Sequence, residues 1–189
     1  MTRLSKLVCM KIEVLGARDL SPKDLNGLSD PYCIVLIAGK AVGRTEVISK
    51  TLNPTWDAEF SLDGQVIHDI EIETGRPISF HFIEFKVMDQ DTLTSDDHEG
   101  SCRLWLNGSM ESDWKMSDVP NDLGGSDVVY EGWKRLLKPG KGGGGAAAGG
   151  RLSVRVTWAL ADLPPLLPCK KARLLGGRAY AGWGLSEAD

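Results

Sequence analysis

Two short acidic segments carry the residue types in this sequence that could do chemistry. The first spans residues 24–30 and the second spans residues 89–97, and each lies beside an apolar run. Their carboxylates are those of Asp24, Asp30, Asp89, Asp91, Asp96 and Asp97. Surface turns also favour Asp, Asn, Gly and Ser, so either segment alone predicts only a turn. The chemistry depends on whether the two segments meet.

A metal cation is the expected ligand if the two segments meet. Two like charges 4 Å apart repel by roughly 4 kcal/mol at an effective dielectric near 20. Calcium binds about six to eight oxygen ligands, including carboxylates, backbone carbonyls and water. An EF-hand loop starting at Asp89 is excluded, because Leu93 stands at its third ligand position and Thr94 replaces the required glycine. The two segments therefore predict a calcium site built from loops.

Alternating apolar residues predict about eight strands that would position these loops. The predicted strands cover residues 7–15, 32–38, 56–62, 78–88, 102–106, 128–137 and 151–160, with one more centred on Val47. Turn residues separate the strands, and no convincing long helix interrupts them. We therefore expect an all-β fold, an eight-stranded antiparallel β-sandwich with the acidic loops at one end.

Several segments are less regular. Residues 63–77 predict a short strand or an elaborated loop, and residues 110–117 carry a weak helical pattern. The apolar parity switches after Phe82, which predicts a β-bulge. Residues 141–150 are nearly all Gly and Ala, which predicts a flexible insert before the last strand. Residues 162–189 form a Pro-containing basic tail, expected to be flexible and outside the core.

The composition excludes several function classes. Of 189 residues, 42% are hydrophobic and 25% are charged, and the net charge of -4 argues against general nucleic-acid binding. No apolar stretch reaches the ~20 residues that a membrane span needs. Four cysteines at no metal or redox spacing predict reduced thiols in the cytoplasm. The three histidines have no evident nucleophile partner, so we expect a protein that is not an enzyme.

Several motifs, in order along the chain, resemble those of C2 domains. Residues 24–32 read Asp-x-x-Gly-x-Ser-Asp-Pro-Tyr, which is similar to the first calcium loop of that family. Residues 89–97 carry the Asp-x-Asp pattern with a further Asp six residues on, similar to its third loop. Residues 51–60 contain Asn-Pro-Thr-Trp, and residues 150–156 read Gly-Arg-Leu-Ser-Val-Arg-Val. The resemblance implies a C2 domain over residues 1–161, with the permuted strand order of phospholipase-type members.

The resemblance also implies a ligand set. The side-chain calcium ligands would be Asp24, Asp30, Asp89, Asp91 and Asp97. Backbone carbonyls of Leu25 and Gln90 would add to these, and Thr94 and Ser95 would lie beside a third ion. We therefore expect two calcium ions, or three if the third site is filled.

The same resemblance implies lipid contacts, and it shows one position at which this chain differs from the family pattern. Leu25 and Leu93 fall at loop tips where family members insert apolar side chains into lipid, although each could also be a stray surface hydrophobe. A basic lipid patch would consist of Lys40, Arg44 and Lys50, whose other interpretation is a solvated strand face. Glu99 stands where the family has an apolar residue, which predicts a looser exit from the third loop.

Calcium-dependent binding to anionic phospholipid membranes, of the phosphatidylserine type, is the expected function. The protein would be a cytoplasmic monomer that docks as a peripheral protein when calcium rises, and we expect no nucleic-acid partner. The alternative is a protein–protein interaction or adaptor module with the same fold in which calcium is secondary. The five aspartates favour the first function, because a calcium-independent module has no reason to keep mutually repelling acids.

Overall fold

Antiparallel strands dominate the chain. The computed structural model describes residues 5–22, 28–91, 95–107, 113–120, 126–138 and 146–162. Within these residues the strands are β1 Ser5–Arg18, β2 Pro31–Ile37, β3 Lys40–Arg44, β4 Thr55–Asp63, β5 Phe82–Asp89, β6 Asp97–Trp105, β7 Lys115–Pro120, β8 Ser126–Lys138 and β9 Ala146–Asp162. Their hydrogen-bonded order is β3-β2-β5-β6-β8-β9-β1-β4, with β7 paired to β8. The all-β antiparallel sandwich is therefore confirmed, with nine strands in the described residues rather than eight.

Two layers enclose the core. One layer contains β3, β2, β5 and β6, and the other contains β8, β9, β1 and β4, with Ser101 opposite Leu137 at the junction. Both inner faces are built by period-two alternation, as expected for strands with one buried face. The fully buried residues include Met10, Ile12, Val14, Val35, Ile83, Phe85, Val87, Leu152, Val154 and Val156. Each layer places alternate apolar side chains in the same core.

Three strand connections meet at one end of the sandwich, which we call the loop end. They are loop 1 (residues 19–30), loop 2 (residues 45–54) and loop 3 (residues 90–96). Backbone bonds join them, from Thr51 N to Ser29 O at 2.8 Å and from Gln90 N to Asp30 O at 3.0 Å. The two chain ends of the sheet pair at the opposite end, where Ser5 lies opposite Asp162. The strand order therefore separates the loops from both of those ends.

Residues 63–77 form neither a strand nor a loop, so that expectation was wrong. A helix, α1 (Gly64–Thr74), occupies most of the segment. Asp63 caps it, because its carboxylate accepts bonds from the amides of Gln65 and Val66, both at 2.9 Å. Gly75 ends it in the left-handed conformation, with φ of 63°. Ile67 and Ile70 are buried against the sandwich.

The parity switch after Phe82 comes from a turn rather than a bulge. Residues Ile78–Phe80 form a short 3-10 helix, and from Phe82 onward β5 alternates regularly. A register shift does occur between Val87 and Met88, but its extra residue, Glu99, lies on the neighbouring strand β6. The bulge is expected only if the whole run is extended, and residues 78–80 are not.

Three smaller expectations also need correction. Val47 lies outside any strand, because β3 ends at Arg44 and the following residues bond back to β2, with Ile48 N donating to Pro31 O. The weak helix over 110–117 is absent from its described part, where residues 115–117 belong to β7. The Gly/Ala segment is not wholly an insert, since β9 begins at Ala146. Among the described residues, no helix is long and apolar enough to span a membrane.

Candidate calcium-binding site

Asp89 ends β5 at the loop end and lies opposite residues of both neighbouring strands. Its register partners are Pro31 on β2 and Asp97 on β6. Directly opposed side chains on antiparallel strands project to the same face, with Cβ atoms roughly 4.5–5.5 Å apart. The Asp89 side chain is fully buried, and its Oδ1 accepts a 2.5 Å bond from the amide of Asp30. The register therefore brings the starts of β2 and β6 to the end of β5.

Asp30 connects loop 1 to loop 2. Its Oδ1 accepts a 2.6 Å bond from the amide of Lys50, and its carbonyl accepts the amide of Gln90 from loop 3. Lys50 adopts a left-handed conformation with φ of 59°, which turns its amide toward this carboxylate. The Asp30 carboxylate thus connects loops 1 and 2, and the Asp30 backbone carbonyl connects loop 1 to loop 3.

Asp96 holds loop 3 against β2. Its Oδ2 accepts a 2.6 Å bond from the hydroxyl of Tyr32, and its Oδ1 accepts the amide of Asp91 at 3.2 Å. The Tyr32 hydroxyl is the main cause that lowers the pKa of Asp96, followed by the Asp91 amide. Burial, followed by the bond to Asp96, raises the pKa of Tyr32. Asp96 was not among the predicted ligands, and this geometry gives it an anchoring role.

Ser29 and Glu99 form a buried polar pair beneath the loops. Both side chains are fully buried, and the Ser29 hydroxyl donates to Glu99 Oε1 at 3.1 Å while lying 3.3 Å from the carbonyl oxygen of Ser21. Buried polar groups of this kind cost free energy unless they are hydrogen-bonded. The expected looser exit from loop 3 is therefore wrong, because Glu99 connects that exit to loop 1.

The basic residues of the predicted lipid patch each make one described contact. Lys40 forms an ion pair with Glu73 of α1. The Arg44 guanidinium carbon lies 4.0 Å from the centre of the Tyr32 ring, within cation–π distance. The backbone of Lys50 supports Asp30. All three residues are exposed, so their role in lipid binding stays a prediction.

Four of the five predicted side-chain ligands lie in the described residues at the loop end: Asp89 is in register with Asp97, its Oδ1 accepts the Asp30 amide, and Asp91 follows in loop 3. Asp24, Leu25, Leu93 and Thr94 lie outside the described residues, and Ser95 is described and exposed. Within the described ranges, no three His, Cys, Asp or Glu side chains are grouped closely enough to hold a metal ion. The oxygen donors present have the chemistry that calcium prefers.

Sequence reasoning missed the two side-chain pairs that fix these loops. Ser29 and Glu99 are 70 residues apart, and Tyr32 and Asp96 are 64 residues apart. No local spacing marks either pair. The available signal was a charged residue, Glu99, at a position where the C2 resemblance implies an apolar side chain.

Known proteins share both the sequence pattern and the fold. RasGAP-activating-like protein 1 of Mus musculus is 35% identical over 101 residues, which are 53% of this chain and 11% of that relative. The chain therefore spans only a small part of its curated relative. A C2 domain of plant Extended Synaptotagmin 1 matches 84% of this chain and 97% of its own, at a TM-score of 0.54 and 20% identity. A calcium-bound pair of C2 domains from Extended-Synaptotagmin 2 matches 83% of this chain and 47% of its own, at a TM-score of 0.53 and 21% identity.

These structural likenesses show the fold, and the sequence match shows the family. The family model described as C2 domain matches residues 9–118, which include loops 1, 2 and 3 and the strands that carry them. This chain belongs to the C2-domain family.

Proposed function

We propose that this domain binds calcium at the loop end and thereby docks reversibly on anionic phospholipid membranes. The observation that carries the proposal is the position of Asp89, a buried carboxylate at which the ends of β2, β5 and β6 converge. Asp97 lies opposite it at the start of β6, Asp30 precedes β2, and Asp91 follows β5 by two residues; the resemblance adds Asp24 from loop 1. Carboxylates that converge on one end of the sandwich repel one another, and a bound cation would neutralise that repulsion.

Calcium would change the potential of the loop end. Without it, several carboxylates face an anionic bilayer and repel it; with two or three ions bound, the same end attracts lipid phosphates and carboxylates. Carbonyls of Leu25 and Gln90 would supply further oxygens, with Thr94 and Ser95 beside a third ion. Lipid headgroups would fill the coordination positions that the loops leave open. The domain would act as a non-catalytic binding module, recruited from the cytoplasm as a monomer.

Calorimetry tests the metal site. Calcium titrated into the wild type should release heat, and an Asp89→Asn/Asp91→Asn variant should give little or none. The matched control is Asp69→Asn/Asp118→Asn, which removes the same charge from exposed positions away from the loop end. Equal heats for wild type and the Asp89/Asp91 variant would refute the site.

Vesicle sedimentation tests the docking step. The wild type should sediment with phosphatidylserine-containing vesicles in calcium and remain in solution with a chelator. Phosphatidylcholine vesicles should bind weakly in both conditions. Calcium-independent binding, or none at all, would refute this function and favour a module for a protein partner.

A further inference from the structure

Three arginines form a row across the outer face of the second layer, at its loop end. Arg151 on β9 lies directly opposite Arg18 on β1 and Arg135 on β8. All three side chains are exposed. Like charges placed directly opposite one another across strands are destabilising, so the fold gains nothing from this row. We call these residues the arginine row.

No ion pair among the described residues involves the arginine row. The same face is different further along β9, four residues after Arg151. There, Arg155 lies opposite Glu13 and Glu131, with ion-pair distances of 3.8 Å and 2.9 Å. Arg155 is therefore neutralised by its neighbours, and the arginine row keeps its positive charge.

Exposed apolar side chains flank the arginine row on β8. Trp133 and Leu137 alternate with Arg135 along the strand, and their side chains are 46% and 42% exposed. The Arg18 guanidinium carbon lies 4.1 Å from the centre of the Trp133 ring, which holds that ring beside the charges. Tryptophan beside basic residues suits a bilayer interface, where the ring meets both headgroups and hydrocarbon.

The arginine row is joined directly to loop 1. A Cβ placed on Gly150, with φ of +93°, would lie 3.0 Å from the carbonyl oxygens of both Arg18 and Asp19. A Cβ on Gly149 would lie 2.9 Å from the Ser21 hydroxyl oxygen. The glycines at the start of β9 thus allow this strand to press against the base of loop 1, and Arg18 immediately precedes that loop.

We propose that Arg18, Arg135 and Arg151, with Trp133 and Leu137, form a second membrane contact that binds anionic lipid headgroups along the side of the domain. The inference rests on the proposed membrane function and adds a site separate from the calcium loops. A bilayer is favoured over an acidic protein or nucleic acid because the row adjoins the docking loops and carries two exposed apolar side chains. The contact would fix how the domain tilts on the surface.

The test measures binding to phosphatidylserine-containing vesicles at saturating calcium. The variant combines Arg18→Gln, Arg135→Gln and Arg151→Gln, and each arginine near an anionic surface is worth roughly fivefold in binding constant. We expect a loss of about ten- to hundredfold, with an unchanged calorimetric calcium affinity without lipid. The charge-matched comparison is between single variants: Arg151→Gln should lose roughly fivefold, whereas Arg155→Gln, on the same strand and face but about 13 Å further from the loop end, should bind as wild type does.

A second readout reports position. Brominated lipid should quench the fluorescence difference between wild type and Trp133→Phe, because the ring would lie at the interface. If wild type fails to bind vesicles, the proposed function and this contact both fall. If wild type binds but the triple variant binds equally, or Trp133 is not quenched, only this contact is overturned. The triple variant should unfold at the same urea concentration as wild type or a higher one, since mutual repulsion is removed.

Discussion

The hydroxyl of Ser29 donates a 3.1 Å hydrogen bond to the carboxylate of Glu99, and both side chains are fully buried. Ser29 precedes the predicted ligand Asp30, and Glu99 follows the predicted ligand Asp97 by two residues. The pair therefore connects the two acidic loops from below, without itself lying on the surface.

Removing the Ser29 hydroxyl should destabilise the domain. Ser29→Ala takes a donor away from a buried carboxylate, and such a loss costs about 1–3 kcal/mol. Urea unfolding should show this decrease in the free energy of unfolding. Ser61→Ala, at an exposed position on β4, is the control and should stay within about 0.5 kcal/mol of wild type. Equal stability of the Ser29 variant and the control would show that the bond contributes nothing.

The hydrogen bond from Tyr32 to Asp96 should affect how the free energy of unfolding falls at acid pH, which we call the acid limb. The folded pKa of Asp96 is depressed, chiefly by the Tyr32 hydroxyl, so the folded state binds this proton less readily than the unfolded chain. That contribution is present above the unfolded pKa, near 4, and is lost as the pH falls through the folded value. Tyr32→Phe should therefore lose less stability than wild type between roughly pH 5 and pH 3. In an Asp96→Asn background, Tyr32→Phe should leave the acid limb unchanged. A remaining effect in that background would show that the pH dependence comes from a group other than Asp96.

Gly150 should resist substitution more than another glycine of positive φ. Gly150→Ala combines a left-handed backbone with a close approach to the Arg18 and Asp19 carbonyls. Gly39, with φ of +80°, has open space around its added Cβ, so Gly39→Ala should cost about 1–2 kcal/mol from the backbone alone. The Gly150 variant should cost clearly more by urea unfolding. Equal costs would mean that β9 does not press on the base of loop 1.

Residues 163–189 should be dispensable for folding. β9 extends to Asp162 and pairs with both β1 and β8. The last strand of the described sandwich is therefore complete before the tail begins. A chain ending at Asp162 should remain soluble and melt cooperatively near the wild-type temperature. A large fall in melting temperature would show that the tail packs on the sandwich.

Calcium and membrane binding should strengthen each other by the same factor, because linkage between two ligands is reciprocal. Without lipid we expect weak calcium affinity, on the order of 10⁻⁵–10⁻³ M. The electrostatic part of vesicle binding should fade at about 1 M salt, where the Debye length is about 3 Å. An apolar part from Leu25 and Leu93 should persist, and Leu93→Ala should reduce it. A calcium affinity unmoved by anionic vesicles would contradict the coupling.

The strands and the meeting of the acidic loops were predictable, but helix α1 was not. Strand positions follow from local alternation, as in residues 152–156, where every second side chain is fully buried. In α1 the helical period is blurred, because Val66 and Ile72 are apolar yet 40% and 66% exposed. Its boundaries, Asp63 and Gly75, are also ordinary turn residues.

The finer organisation of the site depends on distant contacts. Tyr32 bonds to Asp96 and Ser29 bonds to Glu99 only because β2, β5 and β6 are neighbours. The sequence motif predicts that Asp97 is a ligand. It cannot predict that the neighbouring Asp96 accepts a hydrogen bond from Tyr32. Such roles follow from tertiary pairing, which local spacing does not encode.

The pairing of Ser5 with Asp162 sets a distance as well as a topology. β1 is 14 residues long, so the far end of the sandwich lies roughly 45 Å from the loop end. If the loops and the arginine row both rest on a bilayer, the domain is tilted, and these two strand ends lie less than that distance above the lipid headgroups. The tilt set by the arginine row would therefore also set the height of both strand ends over the membrane.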